Sequence, residues 1–139
     1  MIVLDTNVIS EMMRDSPNAA VVARLDQFPV ESIWTTSISV FEIQHGFRIM
    51  AAGRMRKRLE TAFSAIVEEE LEGRVLPLDV GAATQAGIIA AECRQAGRTI
   101  EIRDALISGI AAARKATIVT RNVRHFANTG LSLINPWGD

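Results

Sequence analysis

Three acidic residues in this 139-residue chain have apolar surroundings, where a carboxylate is costly unless it has a partner. Asp5 directly follows three apolar residues, and Glu42 stands between two large apolar residues. Asp104 lies in residues 102–113, a stretch that would be apolar around most of a helix and therefore buried. Carboxylates that are brought together repel each other and need protons or a cation. Because every ligand would be an oxygen atom, the expected cation is Mg²⁺ or Mn²⁺ and not zinc.

Each of these residues also has a purely structural interpretation. Aspartate is a good N-cap residue at a strand-to-helix turn, which would account for Asp5. Ser39 and Glu42 have the spacing of a capping box, in which two side chains satisfy each other's exposed backbone donors. Asp104 would interact with the helix dipole in the first helical turn. Arg103 is expected to point away from Asp104, since neighbouring helical residues do not face each other. Taken one at a time, the residues leave both interpretations open.

Asn122 is a fourth candidate, because it follows an apolar strand in the sequence Thr-Arg-Asn. Its side chain would either cap the short turn 123–126 or offer an oxygen to a cation or a hydrogen bond to a water molecule. The two histidines, His45 and His125, lie far apart and have no partner at zinc-binding spacing, so a structural zinc site is not expected.

Short apolar strands alternate with helices along the whole chain. The expected strands are 1–4, 32–35, 75–78, 116–120 and 131–134, and the expected helices are 6–13, 18–28, 36–53, 54–71, 79–95 and 101–115. This alternation predicts a single α/β domain, residues 1–139, with three α/β/α layers and a mainly parallel central sheet. Function in such folds lies at the carboxyl ends of the strands. Asp5 and Asn122 therefore belong to the same edge of the sheet.

The composition indicates a globular, cytoplasmic protein with no membrane association. Of its residues 48% are apolar and 22% are charged, and no apolar run approaches the roughly 20 residues of a membrane span. The sequence shows no signal peptide, and its single cysteine cannot form an internal disulfide. A net charge of −1 does not indicate a nucleic-acid partner, so any such role needs a local basic patch. Three patches qualify, although each also suits a solvated surface: residues 54–58, residues 114–115, and Arg121 with Arg124 and His125.

Five sequence blocks together resemble the PIN domain, and specifically the VapC-type toxin ribonucleases of bacterial toxin–antitoxin pairs. The blocks are LDTN at 4–7, SVFEI at 39–43, IRDALI at 102–107, VTRNVR at 119–124 and INPW at 134–137. They occur in order and span essentially the full chain, which makes the resemblance far more specific than any one block.

The resemblance implies roles for individual residues. Asp5, Glu42 and Asp104 match the acidic metal ligands of the family, and Asn122 matches a fourth catalytic position that is Asp in many members and Asn in others. Four neighbours are expected to support these residues: Thr6, Asn7, Ser39 and Thr120. Arg121, Arg124 and His125 are the candidate RNA contacts.

The resemblance also implies an activity and partners. One or two Mg²⁺ or Mn²⁺ ions would activate water to cleave an RNA phosphodiester bond, leaving 5′-phosphate and 3′-hydroxyl ends. The expected partners are a second copy of the chain and a small antitoxin, in an assembly that binds operator DNA through the antitoxin. The apolar surface of residues 37–71 would contribute to both protein interfaces.

One departure from the family pattern keeps other functions open. Family members often carry an acidic residue three positions after the Asn, where this chain has His125. A second metal ion would then bind weakly, or only with help from an RNA phosphate. The alternative is a catalytically weakened domain that binds RNA or antitoxin in operon autoregulation. A haloacid-dehalogenase phosphatase is a third possibility, but it needs a second Asp where this chain has Asn7.

Overall fold

The protein folds around a five-stranded sheet in which every strand pair is parallel, in the order β3-β2-β1-β4-β5. The computed structural model describes residues 1–138, and Asp139, the end of the predicted domain, lies outside the described residues. The strands are β1 (Ile2–Leu4), β2 (Ile33–Thr36), β3 (Val75–Leu76), β4 (Thr117–Val119) and β5 (Leu133–Ile134). The predicted parallel α/β sheet is confirmed.

Helices cover both faces of this sheet. They are α1 (Thr6–Met12), α2 (Ala19–Leu25), α3 (Ser37–Ile49), α4 (Arg54–Ala65), α5 (Val80–Gln95) and α6 (Ile102–Arg114). Helices α1 to α4 share one hydrophobic core with Ile2 and Leu4, whereas α5 and α6 share the other with Val3. Successive residues of a strand point to opposite faces, so β1 supplies both cores and the three-layer arrangement follows.

The order of the strands places a topological switch point at the carboxyl edge of the sheet. Strand β1 lies at the centre, with β2 on one side and β4 on the other. A parallel sheet forms its binding crevice where the chain leaves the central strands in opposite directions. Here that point lies between the ends of β1 and β4, where the Asp5 amide donates to the Val119 carbonyl oxygen at 2.9 Å.

Helices α5 and α6 pack against each other unusually closely. A Cβ atom on Gly109 of α6 would overlap the Ala82 carbonyl oxygen and lie 2.6 Å from the Ala86 Cβ of α5. Only glycine fits this contact without a shift of one helix. The contact fixes α6, and with it the first helical turn that carries Asp104.

The helices differ from their predicted bounds mainly at their ends. Helix α3 ends at Ile49 and not near Gly53, and α4 passes into a π turn at Ile66–Glu70. Gly73 follows with a φ of +75°, a conformation that glycine adopts without strain. Within residues 1–138, no helix combines the length and the apolar character that a membrane span requires.

Candidate functional site

Asp5 is fully buried at the end of β1, and its two carboxylate oxygens have different partners. Oδ1 accepts the Thr6 backbone N–H at 2.8 Å, which makes Asp5 the N-cap of α1. Oδ2 accepts the Thr120 hydroxyl at 2.7 Å and the Asn7 side-chain amide at 3.3 Å. The structural and the functional interpretation of Asp5 are therefore compatible, since the carboxylate caps α1 and contacts other groups of the site at the same time.

Thr120 and Asn7 join the loops that follow β4 and β1. The Thr120 hydroxyl accepts the Asn122 backbone N–H at 3.0 Å and the Asn7 side-chain amide at 3.2 Å. The Asn7 side-chain oxygen accepts the Arg121 backbone N–H at 3.1 Å. This network holds Asp5 in one orientation at the crevice.

Glu42 reaches the same crevice from α3. Its Oε1 accepts the Thr6 hydroxyl at 2.7 Å, and the Thr6 and Ser39 hydroxyl oxygens lie 2.9 Å apart. The predicted capping box of Ser39 and Glu42 is wrong, because α3 begins earlier: its N-cap is Thr36, whose hydroxyl accepts the Ser39 N–H at 3.1 Å. Glu42 is thus free of any capping role and directs its carboxylate toward Asp5 through Thr6.

Asp104 is buried in the first turn of α6, with 2% of its surface exposed. Burial raises the pKa of this carboxyl above its ordinary value, and the positive charge of Arg103 partly opposes the shift. His125 Nδ1 lies 3.5 Å from Asp104 Oδ2, so the predicted RNA contact His125 stands at the rim of the carboxylate site.

Arg103 occupies the centre of the site, contrary to the expectation that it points away from Asp104. Its Nη2 lies 2.7 Å from Asp5 Oδ1, its Nε 2.5 Å from Glu42 Oε2, and its Nη1 2.5 Å from Asp104 Oδ1. Burial lowers the pKa of Arg103, but the contacts with Glu42 and Asp5 outweigh this effect and raise it above its usual value. The guanidinium is therefore a permanent cation among three carboxylates.

The prediction about Arg103 failed because it considered only directions around the helix axis. Adjacent helical residues do point apart, but arginine is long and flexible. From the first turn of α6 its guanidinium reaches back to the Asp104 side chain and across to β1 and α3. Two buried carboxylates without an assigned counter-charge were the signal in the sequence that a nearby cation must complete the site.

The residues after β4 lie at the exposed rim of the same edge. Asn122 occupies the N-cap position of the turn Val123–Phe126, but its side chain makes no capping hydrogen bond, so that predicted role is wrong. Within the described residues, its side chain also has no hydrogen bond to the carboxylates. Arg121 and Arg124 are exposed, and the Arg121 guanidinium lies over the Trp137 ring, 4.9 Å from its centroid. Trp137 was not assigned a role from the sequence, although it belongs to the INPW block.

The donor set suits a divalent cation, although a guanidinium lies among the three carboxylates in this structure. In residues 1–138 no group of three or more His, Cys, Asp or Glu side chains is arranged as a metal site. Instead, the three carboxylates surround the planar guanidinium of Arg103. They come from three elements and already converge on one cation, and all their ligand atoms are oxygens, as Mg²⁺ and Mn²⁺ prefer. The chemistry of these residues therefore fits such a metal, and Arg103 occupies the space between them.

Comparison with known proteins gives consistent matches over nearly the whole chain. The family model of the PIN domain matches residues 2–130. VapC ribonuclease Y4jK of Sinorhizobium fredii is 36% identical over 137 residues, which cover 99% of this chain and 98% of that protein. Toxin FitB of Neisseria gonorrhoeae is 32% identical over 139 residues, with 100% of both chains covered. The solved structure of FitAB bound to an IR36 DNA fragment matches with a TM-score of 0.90 at 32% identity, covering 100% of this chain and 97% of that one.

Proposed function

Because the chain belongs to the PIN-domain family and resembles its VapC-type toxins, we propose that it is a metal-dependent endoribonuclease, the toxin of a toxin–antitoxin pair. The observation that carries the proposal is the convergence of Asp5, Glu42 and Asp104 on one cation at the carboxyl edge of the sheet. The name of the Sinorhizobium relative, a VapC ribonuclease, supports RNA as the substrate. The family match also argues against the haloacid-dehalogenase interpretation.

We assign the metal to the three carboxylates, Asp5, Glu42 and Asp104. When bound there, Mg²⁺ or Mn²⁺ would supply an oriented water molecule and neutralise charge on the phosphate. Thr120 and Asn7 hold Asp5 in place through its Oδ2, and Thr6 holds Glu42 through its Oε1. Ser39 supports the Thr6 hydroxyl. Asn122, the fourth proposed catalytic residue, is exposed, whereas the three carboxylates are buried or half-buried.

The exposed basic residues beside the carboxylates are suited to hold the RNA backbone. Arg121, Arg124 and His125 are all exposed and follow β4 directly. Cationic side chains attract phosphates without regard to sequence, which provides affinity and orientation. The Trp137 ring beneath Arg121 would keep that guanidinium extended at the rim of the site.

We propose a small antitoxin and a second copy of the chain as its protein partners. The FitAB structure is a complex bound to a DNA fragment, which supports an antitoxin that carries the toxin to operator DNA. Within residues 37–71, the predicted interface region, three large apolar side chains are exposed: Phe41, Ile49 and Met55. Large apolar side chains on a surface are typical of protein interfaces when they lie close together.

Cleavage of an end-labelled RNA by the purified protein tests the proposed activity. We expect cleavage with Mg²⁺ or Mn²⁺, none with EDTA, and fragments with 5′-phosphate and 3′-hydroxyl ends. Asp5→Asn and Asp104→Asn should each lose at least about 100-fold in rate, because even residues that only support metal ligands cost 10- to 100-fold. Glu92→Gln removes an exposed carboxylate from α5 and should cleave normally. Cleavage by both Asp variants at the wild-type rate would show that the site is wrongly assigned.

The second candidate function is a catalytically weakened domain that binds RNA or antitoxin. Two observations favour it: Asn122 and His125 are not carboxylates, and Arg103 occupies the acidic cluster. Calorimetric titration with Mn²⁺, with and without a non-cleavable RNA analogue, separates the two functions. Absence of metal binding under both conditions would favour the binding function, whereas binding in either condition favours the nuclease.

A further inference from the structure

We propose that Arg103 and the divalent cation compete for the same three carboxylates, so that the metal binds only when the guanidinium leaves. The inference rests on the proposed metal-dependent function, and it concerns a residue that lies outside the predicted ligand set. It assigns to Arg103 control over the metal affinity of the site. In the structure the Arg103 guanidinium is the counter-charge of Asp5, Glu42 and Asp104, the role that the metal would otherwise have.

The contacts of Arg103 use its whole guanidinium. Each of its three nitrogen atoms faces a different carboxylate at 2.5 to 2.7 Å, and Nη2 also donates to the Thr6 hydroxyl at 3.0 Å. A guanidinium presents five N–H donors in a fixed planar fork, so it matches several carboxylates at once. Carboxylates from three separate parts of the chain, the end of β1, α3 and α6, thereby share the positive charge of one side chain.

The two cations cannot share this space. Mg²⁺ requires oxygen ligands at about 2.0 to 2.1 Å in nearly octahedral order, so the carboxylates must close around a point. The guanidinium instead keeps Asp5 Oδ1, Glu42 Oε2 and Asp104 Oδ1 apart, on three different nitrogen atoms. Its positive charge would also repel a divalent ion held by the same oxygens.

Arg103 has a route out of the site that leaves the fold unchanged. Its side chain is 24% exposed, and it lies in the first turn of α6 beside Ile102, which is 76% exposed. Rotations within the flexible arginine side chain therefore bring the guanidinium to solvent without movement of the helix. Asp104 and Asp5 are buried, so the vacated space remains lined by carboxylates that can close around the metal.

Mn²⁺ titration by calorimetry measures the competition directly. We expect Arg103→Ala to bind Mn²⁺ about 10- to 100-fold more tightly than the wild type, the range that corresponds to a hydrogen bond with a charged group. Arg103→Lys, which keeps the charge but cannot reach three carboxylates, should be intermediate. Arg114→Ala is the matched control: it removes the same charge from an exposed position about 16 Å further along α6 and should bind like the wild type.

A measurement on the unmodified protein guards against variants that fail to fold. In a ¹⁵N–¹H spectrum, the Nε–H signal of Arg103 should shift on saturation with Mg²⁺, while the Arg114 signal should not. Equal Mn²⁺ dissociation constants for the wild type and Arg103→Ala would overturn the inference and leave the nuclease function standing, as would an unmoved Arg103 signal. If neither protein bound Mn²⁺, with or without a non-cleavable RNA analogue, both the inference and the metal-dependent function would fall.

Discussion

At the scale of single residues, Asp5 shows how one carboxylate serves the fold and the site together. Oδ1 caps α1 and meets Arg103, while Oδ2 is held by Thr120 and Asn7 from the neighbouring loops. A carboxylate that is fully buried needs all of these donors, because an unpaired buried charge is strongly destabilising. The donors that offset the cost of burying the Asp5 carboxylate also fix its orientation, as a metal ligand requires.

Replacement of Thr120 by Val tests this coupling between support and stability. The Thr120 hydroxyl is buried and donates to Asp5 Oδ2, and valine has nearly the same shape without the donor. We expect Thr120→Val to lower the free energy of unfolding by about 1 to 3 kcal/mol, measured by urea denaturation in EDTA, since a buried acceptor loses its partner.

The matched control for this substitution is Thr84→Val in α5. Thr84 is exposed, and its hydroxyl donates only to the Val80 carbonyl oxygen one turn earlier in the same helix. Its replacement should change the free energy of unfolding by less than about 0.5 kcal/mol. If both variants were equally stable, the Thr120 hydroxyl would not be a significant support of Asp5.

Individual site residues were predictable to different degrees. A shared counter-charge for Asp5, Glu42 and Asp104 could be predicted, because a carboxylate in apolar sequence needs a partner, although each residue alone also fitted a structural role. Their role as metal ligands stays a prediction. The position of Arg103 and the N-cap of α3 could not be predicted, because side-chain reach and the first residue of a helix depend on tertiary contacts. The sequence offered two starts for α3, a helix from residue 36 and a capping box at Ser39, and the structure has its N-cap at Thr36, three residues before Ser39.

At the scale of elements, the close packing of α5 on α6 determines where Asp104 lies. The Gly109 backbone approaches Ala82 and Ala86 so closely that no side chain fits between the helices. Gly109 follows Asp104 by five residues on the same helix, so any displacement at this contact moves the carboxylate as well. The packing of α6 on α5 therefore also restricts where Asp104 can lie.

Gly109→Ala should consequently destabilise the protein, even though alanine is the better helix former. We expect a loss of about 1 to 3 kcal/mol in the free energy of unfolding, the usual effect of overpacking. Gly87→Ala on α5 is the control, because a Cβ at this position meets no atom within 4 Å. That variant should gain about 0.5 to 1 kcal/mol. Stabilisation by both substitutions would mean that the two helices separate easily.

Most elements were predictable from the sequence, and their details were not. The existence of all five strands and six helices followed from apolar periodicity and from capping residues such as Asn18 and Asp79, whose side chains do accept backbone N–H groups. The π turn Ile66–Glu70 was missed, because the apolar stripe of α4 continues through it to the buried Leu71. A stripe of apolar residues along a helix does not show where an α turn is replaced by a π turn, which contains one more residue.

At the scale of the whole molecule, the strand order assembles a site from distant parts of the chain. Asp5, Glu42, Asp104 and Thr120 meet because β1 lies between β2 and β4. The sequence predicted a shared edge, since all strands of a parallel sheet end on the same side. It did not predict the order of the strands, because strands of two to four residues carry too little pattern to specify their neighbours.

Because the proposed metal site joins three elements, metal binding should stabilise the whole fold. A ligand that binds only the folded state adds about 2.7 kcal/mol of stability at a concentration 100 times its dissociation constant. For a chain of this length we expect Mn²⁺ at that level to raise the melting temperature by roughly 8 °C, which differential scanning calorimetry would detect. EDTA should reverse the rise.

Three variants show whether this stabilisation arises at the proposed site. Asp5→Asn removes a ligand and should abolish the rise, whereas Glu92→Gln, an exposed change on α5, should retain it. Arg103→Ala should start from a lower melting temperature in EDTA, because its three carboxylates lose their counter-charge, and should show a larger rise with Mn²⁺. An equal rise in Asp5→Asn and in the wild type would mean that the stabilising metal binds elsewhere on the molecule. The three carboxylates at the carboxyl edge would then serve only as ion-pair partners of Arg103.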